Sequence, residues 1–301
     1  MTVQTVLGET EADQLGVTLM HEHVWIDRYS VTGDYNLRLT DVPLVVRELA
    51  SLREAGGTTL CDVTPPGIGR DPLVLQRIAR ETGLNIVMGA GWYLQEFHPR
   101  EVAEWSVSRL ADALVLEIEQ GVGESGVKPG IIGEIASSLM MSPAEERALR
   151  AAARAQRSTG LPLSTHAFGS RVSLHQLEVL GEEDADLSKC IIGHLDSVHD
   201  PELHEQIARS GAWVQFDLLR CQNDWETGLR ADLIAEVFRR GFEDRLLLSQ
   251  DVCMKSHMRA YGGTGYAAIF ERLAPELRLR GIGADELRLL LVENPRRVFA
   301  D

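Results

Sequence analysis

A repeating unit of amphipathic helix, glycine and short apolar strand constrains this 301-residue chain more than any other feature. Asp71-Pro72 opens a helix that ends at Thr82-Gly83, and the strand Asn85-Ile86-Val87-Met88 follows. Ser142-Pro143-Ala144-Glu145 has the form of a capping box; its helix ends at Thr159-Gly160, before a strand at Leu163. Asp200-Pro201 opens another helix, stopped by Ser210-Gly211 ahead of Ala212 to Asp217, and a further helix stops at Gly241 before Leu246-Leu247-Leu248. Each signal has a physical cause. Asp or Ser accepts from orphan N–H groups, Pro lacks one of them, and Gly tolerates a left-handed cap. Strand starts fall near residues 17, 58, 85, 129, 162, 190, 212 and 246. Strands alternating with helices imply a parallel sheet, and eight repeats imply closure into an α/β, TIM-type (β/α)8 barrel. An open doubly wound sheet is the competing architecture. Without a Pro/Ser-rich linker or a break in composition, residues 1–301 are expected to form one domain, with residues 1–16 as a small hairpin under the barrel.

Composition narrows the partners. A net charge of −15 argues against nucleic acid or an anionic membrane and leaves a small molecule as the expected partner, with homodimer formation open. The four cysteines form no CxxC pair and read as free thiols. The opening Met1 to Val6 shows no signal-peptide pattern, and no apolar run approaches the ~20 residues of a membrane span, so the cytoplasm is the expected location.

Ionisable residues gather where apolar strands end. His21-Glu22-His23 closes the first strand, and period-two alternation puts both imidazoles on one face, with Glu22 turned toward the helix layer. Glu134, His166, His194 and Asp251 sit at the ends of four further strands. Active sites of this barrel lie at the C-terminal ends of the strands. Buried charge there is costly unless paired or metal-bound. Four imidazoles and two carboxylates without a cysteine suit two divalent ions, zinc first, with manganese, cobalt or iron as alternatives. Asp62 and Asp217, also near strand ends, are candidates to orient imidazole N–H groups or to cap helices.

The chain resembles the phosphotriesterase-related family of the amidohydrolase superfamily. The resemblance rests on Gly16-Val17-Thr18-Leu19-Met20-His21-Glu22-His23, Gly91-Trp92-Tyr93, Ser164-Thr165-His166, Gly193-His194-Leu195-Asp196 and Ser249-Gln250-Asp251. It extends through the loop from Lys255-Ser256-His257 to Gly262-Gly263 and the ending Glu293-Asn294-Pro295. It implies that His21, His23 and Asp251 hold the more buried metal and that His166 and His194 hold the more exposed one. The family usually bridges the two with a carboxylated lysine. Here Glu134 takes that place, as in some family branches, and Lys128, six positions earlier, cannot substitute. The shorter stem of Glu134 requires its strand to sit closer to the metals.

The resemblance also implies a mechanism. A hydroxide shared by the ions attacks, since coordination lowers the pKa of water from ~15.7 toward ~7, and Asp251 serves as acid and base. His194 or His257 would relay the proton, although His257 can equally be read as a solvated loop residue. Tyr93 would orient a lactone oxygen. Arg220, Lys255 and Arg259 follow the last two strands and suggest an anionic substrate, phosphorylated or carboxylated. The expected activity is lactone or carboxyl-ester hydrolysis. The alternatives are an amidase acting on N-acyl compounds, a phosphotriesterase side activity, and a non-enzymatic ligand-binding relative.

Overall fold

The computed structural model describes residues 1–300. Eight parallel strands stand where the repeat places them: β1 Val17–Glu22, β2 Gly57–Asp62, β3 Asn85–Ala90, β4 Ile131–Ala136, β5 Leu163–His166, β6 Cys190–Ile192, β7 Trp213–Phe216 and β8 Leu246–Leu248. They are hydrogen-bonded in chain order from β1 to β8. A doubly wound sheet would reverse its order at a switch point, so this order excludes it.

The seam between β8 and β1 closes mostly through one side chain. Ser249 Oγ donates to the His21 carbonyl at 2.7 Å and accepts from the His21 N–H at 3.0 Å. One backbone bond joins them, from the Asp251 N–H to the same carbonyl at 3.2 Å. A serine thus completes the barrel beside the first imidazole.

Seven long helices cover the outside: α1 Val42–Glu54, α2 Pro72–Thr82, α3 Val107–Gln120, α4 Pro143–Thr159, α5 Ser170–Glu182, α6 Pro201–Arg209 and α7 Asp224–Arg240. Shorter segments, among them Ala274–Leu279 and Asn294–Ala300, fill the eighth position. The caps are those the sequence signals. Asp71 accepts from Leu73 and Val74, Ser142 and Glu145 form a reciprocal capping box, and Gly83, Gly160 and Gly241 take left-handed conformations.

Two layers of apolar packing follow from strand alternation. Leu19, Leu60, Ile86, Ile132 and Leu246 belong to the core shared with the helices, each fully buried and worth roughly 1.5–3 kcal/mol. Met20, Val87, Ile131, Trp213 and Leu247 fill the barrel floor. The hairpin of Thr2–Thr5 and Gly8–Glu11 lies under that floor, with Val3 and Leu15 packed into it. A floor sealed from below leaves the C-terminal ends of the strands as the open side. Among the described residues no helix is long and apolar enough to cross a membrane.

Candidate metal centre

All six predicted ligands meet at the top of the barrel, and all are buried. His23 Nε2 lies 3.4 Å from both Glu134 Oε1 and Asp251 Oδ1. His21 Nε2 lies 3.4 Å from Glu134 Oε2 and 3.9 Å from Asp251 Oδ1. From the other side, His166 Nδ1 is 2.9 Å from Glu134 Oε2 and 2.7 Å from His194 Nε2. Glu134 is therefore central, with one oxygen toward His23 and the other toward His21, His166 and His194. Lys128 is exposed and precedes β4, so it has no access to this point.

Two triads have donor atoms that all fall within 4.8 Å of one another: His21, His23 and Asp251, and His21, Glu134 and His194. The first is the trio the resemblance implies for the buried ion. The second contains His194 and Glu134 with His21 in place of His166, which enters from the more exposed side.

Close strand contact makes this convergence possible. A Cβ on Gly193 would collide with the Thr165 carbonyl, so only glycine lets β6 press against β5 and bring His194 to His166. Gly133 has φ +135, and a Cβ there would likewise run into the Ser164 carbonyl. It draws β4 inward just before Glu134, as the short glutamate stem requires.

The outer nitrogens are held in place. Asp217 Oδ1 lies 2.6 Å from His194 Nδ1, and Thr64 Oγ1 lies 2.8 Å from His23 Nδ1. Asp217 Oδ2 is 3.5 Å from His21 Nδ1. The contacts to His194 and His23 fix the orientation of those rings and leave the opposite nitrogen facing inward, whereas the longer approach to His21 is no hydrogen bond. Asp62, the other candidate orienter, instead accepts the N–H groups of Val24 and Thr64.

The electrostatics of the cluster favour a cation. Burial opposes charge on Glu134 and Asp251, yet the surrounding imidazoles, with Arg220 beside Asp251, hold both carboxyls well below the usual range. Burial also opposes charge on His21, but Asp217, Glu134 and Asp251 outweigh it and lift His21 to about 10. Both nitrogens of His21 are buried without a hydrogen-bond partner. Unsatisfied buried polar atoms at the focus of ionised carboxylates are what a set of metal ligands looks like. The residues present fit two divalent ions.

The other predicted residues divide. Tyr93 is buried, with its ring edge against His166 at a centroid distance of 5.0 Å. His98 secures that loop through a 2.7 Å contact with the Tyr93 carbonyl. His257 is not solvated. It is buried, its Nδ1 accepts from the Cys253 N–H at 3.3 Å, and burial together with Arg220 depresses it to about 4. Of the three loop cations, only Arg220 touches a predicted ligand, at 3.2 Å from Asp251 Oδ2. Lys255 lies over the Tyr35 ring, and Arg259 is engaged by Glu271 and the Thr264 carbonyl. The three do not share a partner.

Three contributors escape a reading of the sequence. Glu22 points away from the imidazoles, as alternation demands, but it does not end in the helix layer. It accepts from Ser249 Oγ and the Gln250 N–H at 2.8 Å each, and from the Val252 N–H at 3.0 Å, clamping both neighbours of Asp251. Phe168 stacks on His194 at 4.8 Å. Arg28 reaches the Tyr93 hydroxyl from the loop after β1. Nothing in the spacing of these residues marks them.

The sequence profile of the Phosphotriesterase family matches residues 1–299. This chain belongs to the phosphotriesterase family. The motif resemblance is borne out, and the family's barrels agree with this one in three dimensions. The phosphotriesterase homology protein of Escherichia coli, solved with phosphate in its active site, is 34% identical and superposes with a TM-score of 0.90, covering 95% of this chain and 99% of that one. The lactonase Lmo2620 of Listeria monocytogenes is 28% identical, with a TM-score of 0.92 over 100% of this chain and 99% of its own. The N-acetyltaurine hydrolase of Danio rerio is 31% identical over 98% of this chain and 97% of its own. The chain is a phosphotriesterase-family hydrolase.

Proposed function

We propose that this phosphotriesterase-family chain hydrolyses small carboxylic-acid derivatives with the help of two divalent cations, zinc being the first choice. One observation carries the reading. His21, buried with neither nitrogen hydrogen-bonded, belongs to both triads of donor atoms, beside two carboxylates that stay ionised. His21, His23 and Asp251 would hold one ion, His166 and His194 the other, and Glu134 would lie between them. When bound, such ions supply Lewis-acid polarisation of an acyl oxygen and a water of lowered pKa.

The residues of the chain do the rest. Asp251, kept ionised by its imidazole neighbours and by Arg220, takes a proton from the attacking water and returns it to the leaving group. Tyr93 stays a phenol, because burial and then Glu134 push its pKa well above the ordinary value, so it can donate to a substrate oxygen. Phe168 and Tyr93 flank the imidazoles, Phe168 on His194 and Tyr93 on His166.

A lactone or carboxyl ester is the first substrate class, supported by the likeness to the Listeria lactonase. An N-acyl compound is the second, supported by relatives named N-acetyltaurine hydrolase that match nearly the whole chain. Phosphotriester cleavage would be a side activity. A panel of lactones, esters, N-acyl amino acids, N-acetyltaurine and a phosphotriester, run with and without added zinc or manganese, tests the reading. Zinc-dependent turnover of a carboxyl substrate is expected; no hydrolysis across the panel with either metal would overturn it.

A further inference from the structure

Arg28 is a half-buried cation that makes no direct ion pair among the described residues, Asp251 and Glu134 acting on it only from longer range. Its Nη2 donates to the Cys253 carbonyl at 3.1 Å, and its Nη1 donates to the Tyr93 hydroxyl at 3.4 Å. Its Nε is buried with no partner. Among the described residues no carboxylate comes within 4.0 Å of it, whereas the buried side chain of Arg70 is paired with Glu117 at 2.7 Å. A guanidinium taken out of water without an anion is costly. Five N–H donors meet only two neutral acceptors here, and cations pair with oxyanions far better than with carbonyls.

Its position is as telling as its isolation. Tyr93 spans the space between Arg28 and the metal centre, its hydroxyl on the guanidinium and its ring edge on His166. Arg220 is already committed to Asp251 through a 3.2 Å ion pair and the 3.0 Å contact with its carbonyl. Lys255 and Arg259 are engaged with Tyr35 and Glu271. Of Arg28, Arg220 and Arg259, Arg28 alone has no carboxylate against it among the described residues.

We propose that Arg28 receives the anionic end of the substrate, a carboxylate or sulfonate a few bonds from the acyl carbon under attack. The inference deepens the hydrolase reading and rests on it for the identity of the acyl group, but the anion site itself is a matter of binding. It replaces the loop after β8 with the loop after β1 as the source of anion specificity. The planar fork fits a carboxylate or sulfonate edge, and the Tyr93 hydroxyl beside it can share the same oxygens.

Calorimetric titration of the full chain with propane-1-sulfonate, butyrate and 1-propanol tests the site without any turnover. The wild type is expected to bind both anions and not the alcohol. Arg28→Met should weaken anion binding about 10-fold or more, Arg28→Lys by less, and Arg259→Met should change nothing. Butyrate bound more tightly than propane-1-sulfonate would mark the carboxylate as the preferred end, and the reverse order the sulfonate. If Arg28→Met fails to fold, Arg28→Lys still discriminates, because a lysine keeps the charge and loses the fork. Equal anion binding by wild type and folded Arg28→Met would overturn the proposal, as would a wild type that binds neither anion. Loss of anion binding in the variant alongside an inactive wild type would instead leave Arg28 standing and sink the hydrolase reading.

Discussion

Replacing Glu22 by Gln perturbs the metal centre without touching a ligand. The carboxylate Oε1 accepts from Ser249 Oγ and the Gln250 N–H, and Oε2 accepts from the Val252 N–H. A glutamine can offer its carbonyl to one side only, so its NH2 must face an N–H or O–H donor on the other. One hydrogen bond to a charged acceptor, about 1.5–3 kcal/mol, is lost, and a buried donor is left unsatisfied, so the loss is on the order of 2–4 kcal/mol. For a chain of this size, with an unfolding entropy near 2.1 cal/mol/K per residue, that is a fall in Tm of roughly 3–6 °C. The functional effect is sharper, because the two clamped backbone groups flank Asp251, which sits at φ 50 in the left-handed region. Such a conformation costs about 1–3 kcal/mol and persists only where its surroundings hold it. Freed from the clamp, Asp251 relaxes, and zinc affinity should fall about 10- to 100-fold, as is usual when a supporting contact of a metal ligand is removed. Chelator competition and thermal unfolding would be measured together at about pH 8, because burial lifts the Glu22 carboxyl to about 7 and ionised Glu22 is the form under test. Unchanged zinc affinity and unchanged Tm in Glu22→Gln would refute the reasoning.

Two further perturbations probe the surroundings of the site. Tyr93→Phe removes a neutral hydroxyl and should lower kcat/KM by about 2- to 10-fold with fold and metal content intact, measured on the best substrate of the panel; a loss of metal would show that the hydroxyl supports the metal centre and not the substrate. Glu145 caps α4 and accepts from Ser138 and the Gln95 N–H, tying down the loops after β4 and β3. Burial opposes its ionisation, but these donors prevail and hold its pKa below the usual value. A depressed carboxyl stabilises the fold above its unfolded pKa and loses that contribution as pH falls through the folded value. Wild type should therefore lose stability on acidification more steeply than Glu145→Gln; parallel curves of Tm against pH would contradict this.

How far the sequence anticipates the molecule depends on what kind of contact is asked about. Most of the strands were legible because they follow a capped helix and a glycine, local signals that operate within a few residues. His21 and His23 were legible because a strand alternates, and Asp217 because an acid at a strand end has an imidazole to orient. Glu22 was misplaced for the same reason of locality. Alternation gives its direction, but its partners lie 227 to 230 positions away at a seam that exists only once the barrel closes. Arg28 carries no motif, since its meaning comes from Tyr93 and Cys253 on distant loops. For Arg259 and Lys255, charge near a strand end does not reveal that Glu271 or Tyr35 lies against it.

Metal content tests the central claim most directly. Wild-type protein loaded with zinc, dialysed and assayed by atomic emission should retain about two ions per chain, and Glu134→Ala should lose that occupancy while remaining folded. Retention of the full metal content by Glu134→Ala, or a folded wild type that retains no divalent metal, would contradict the account.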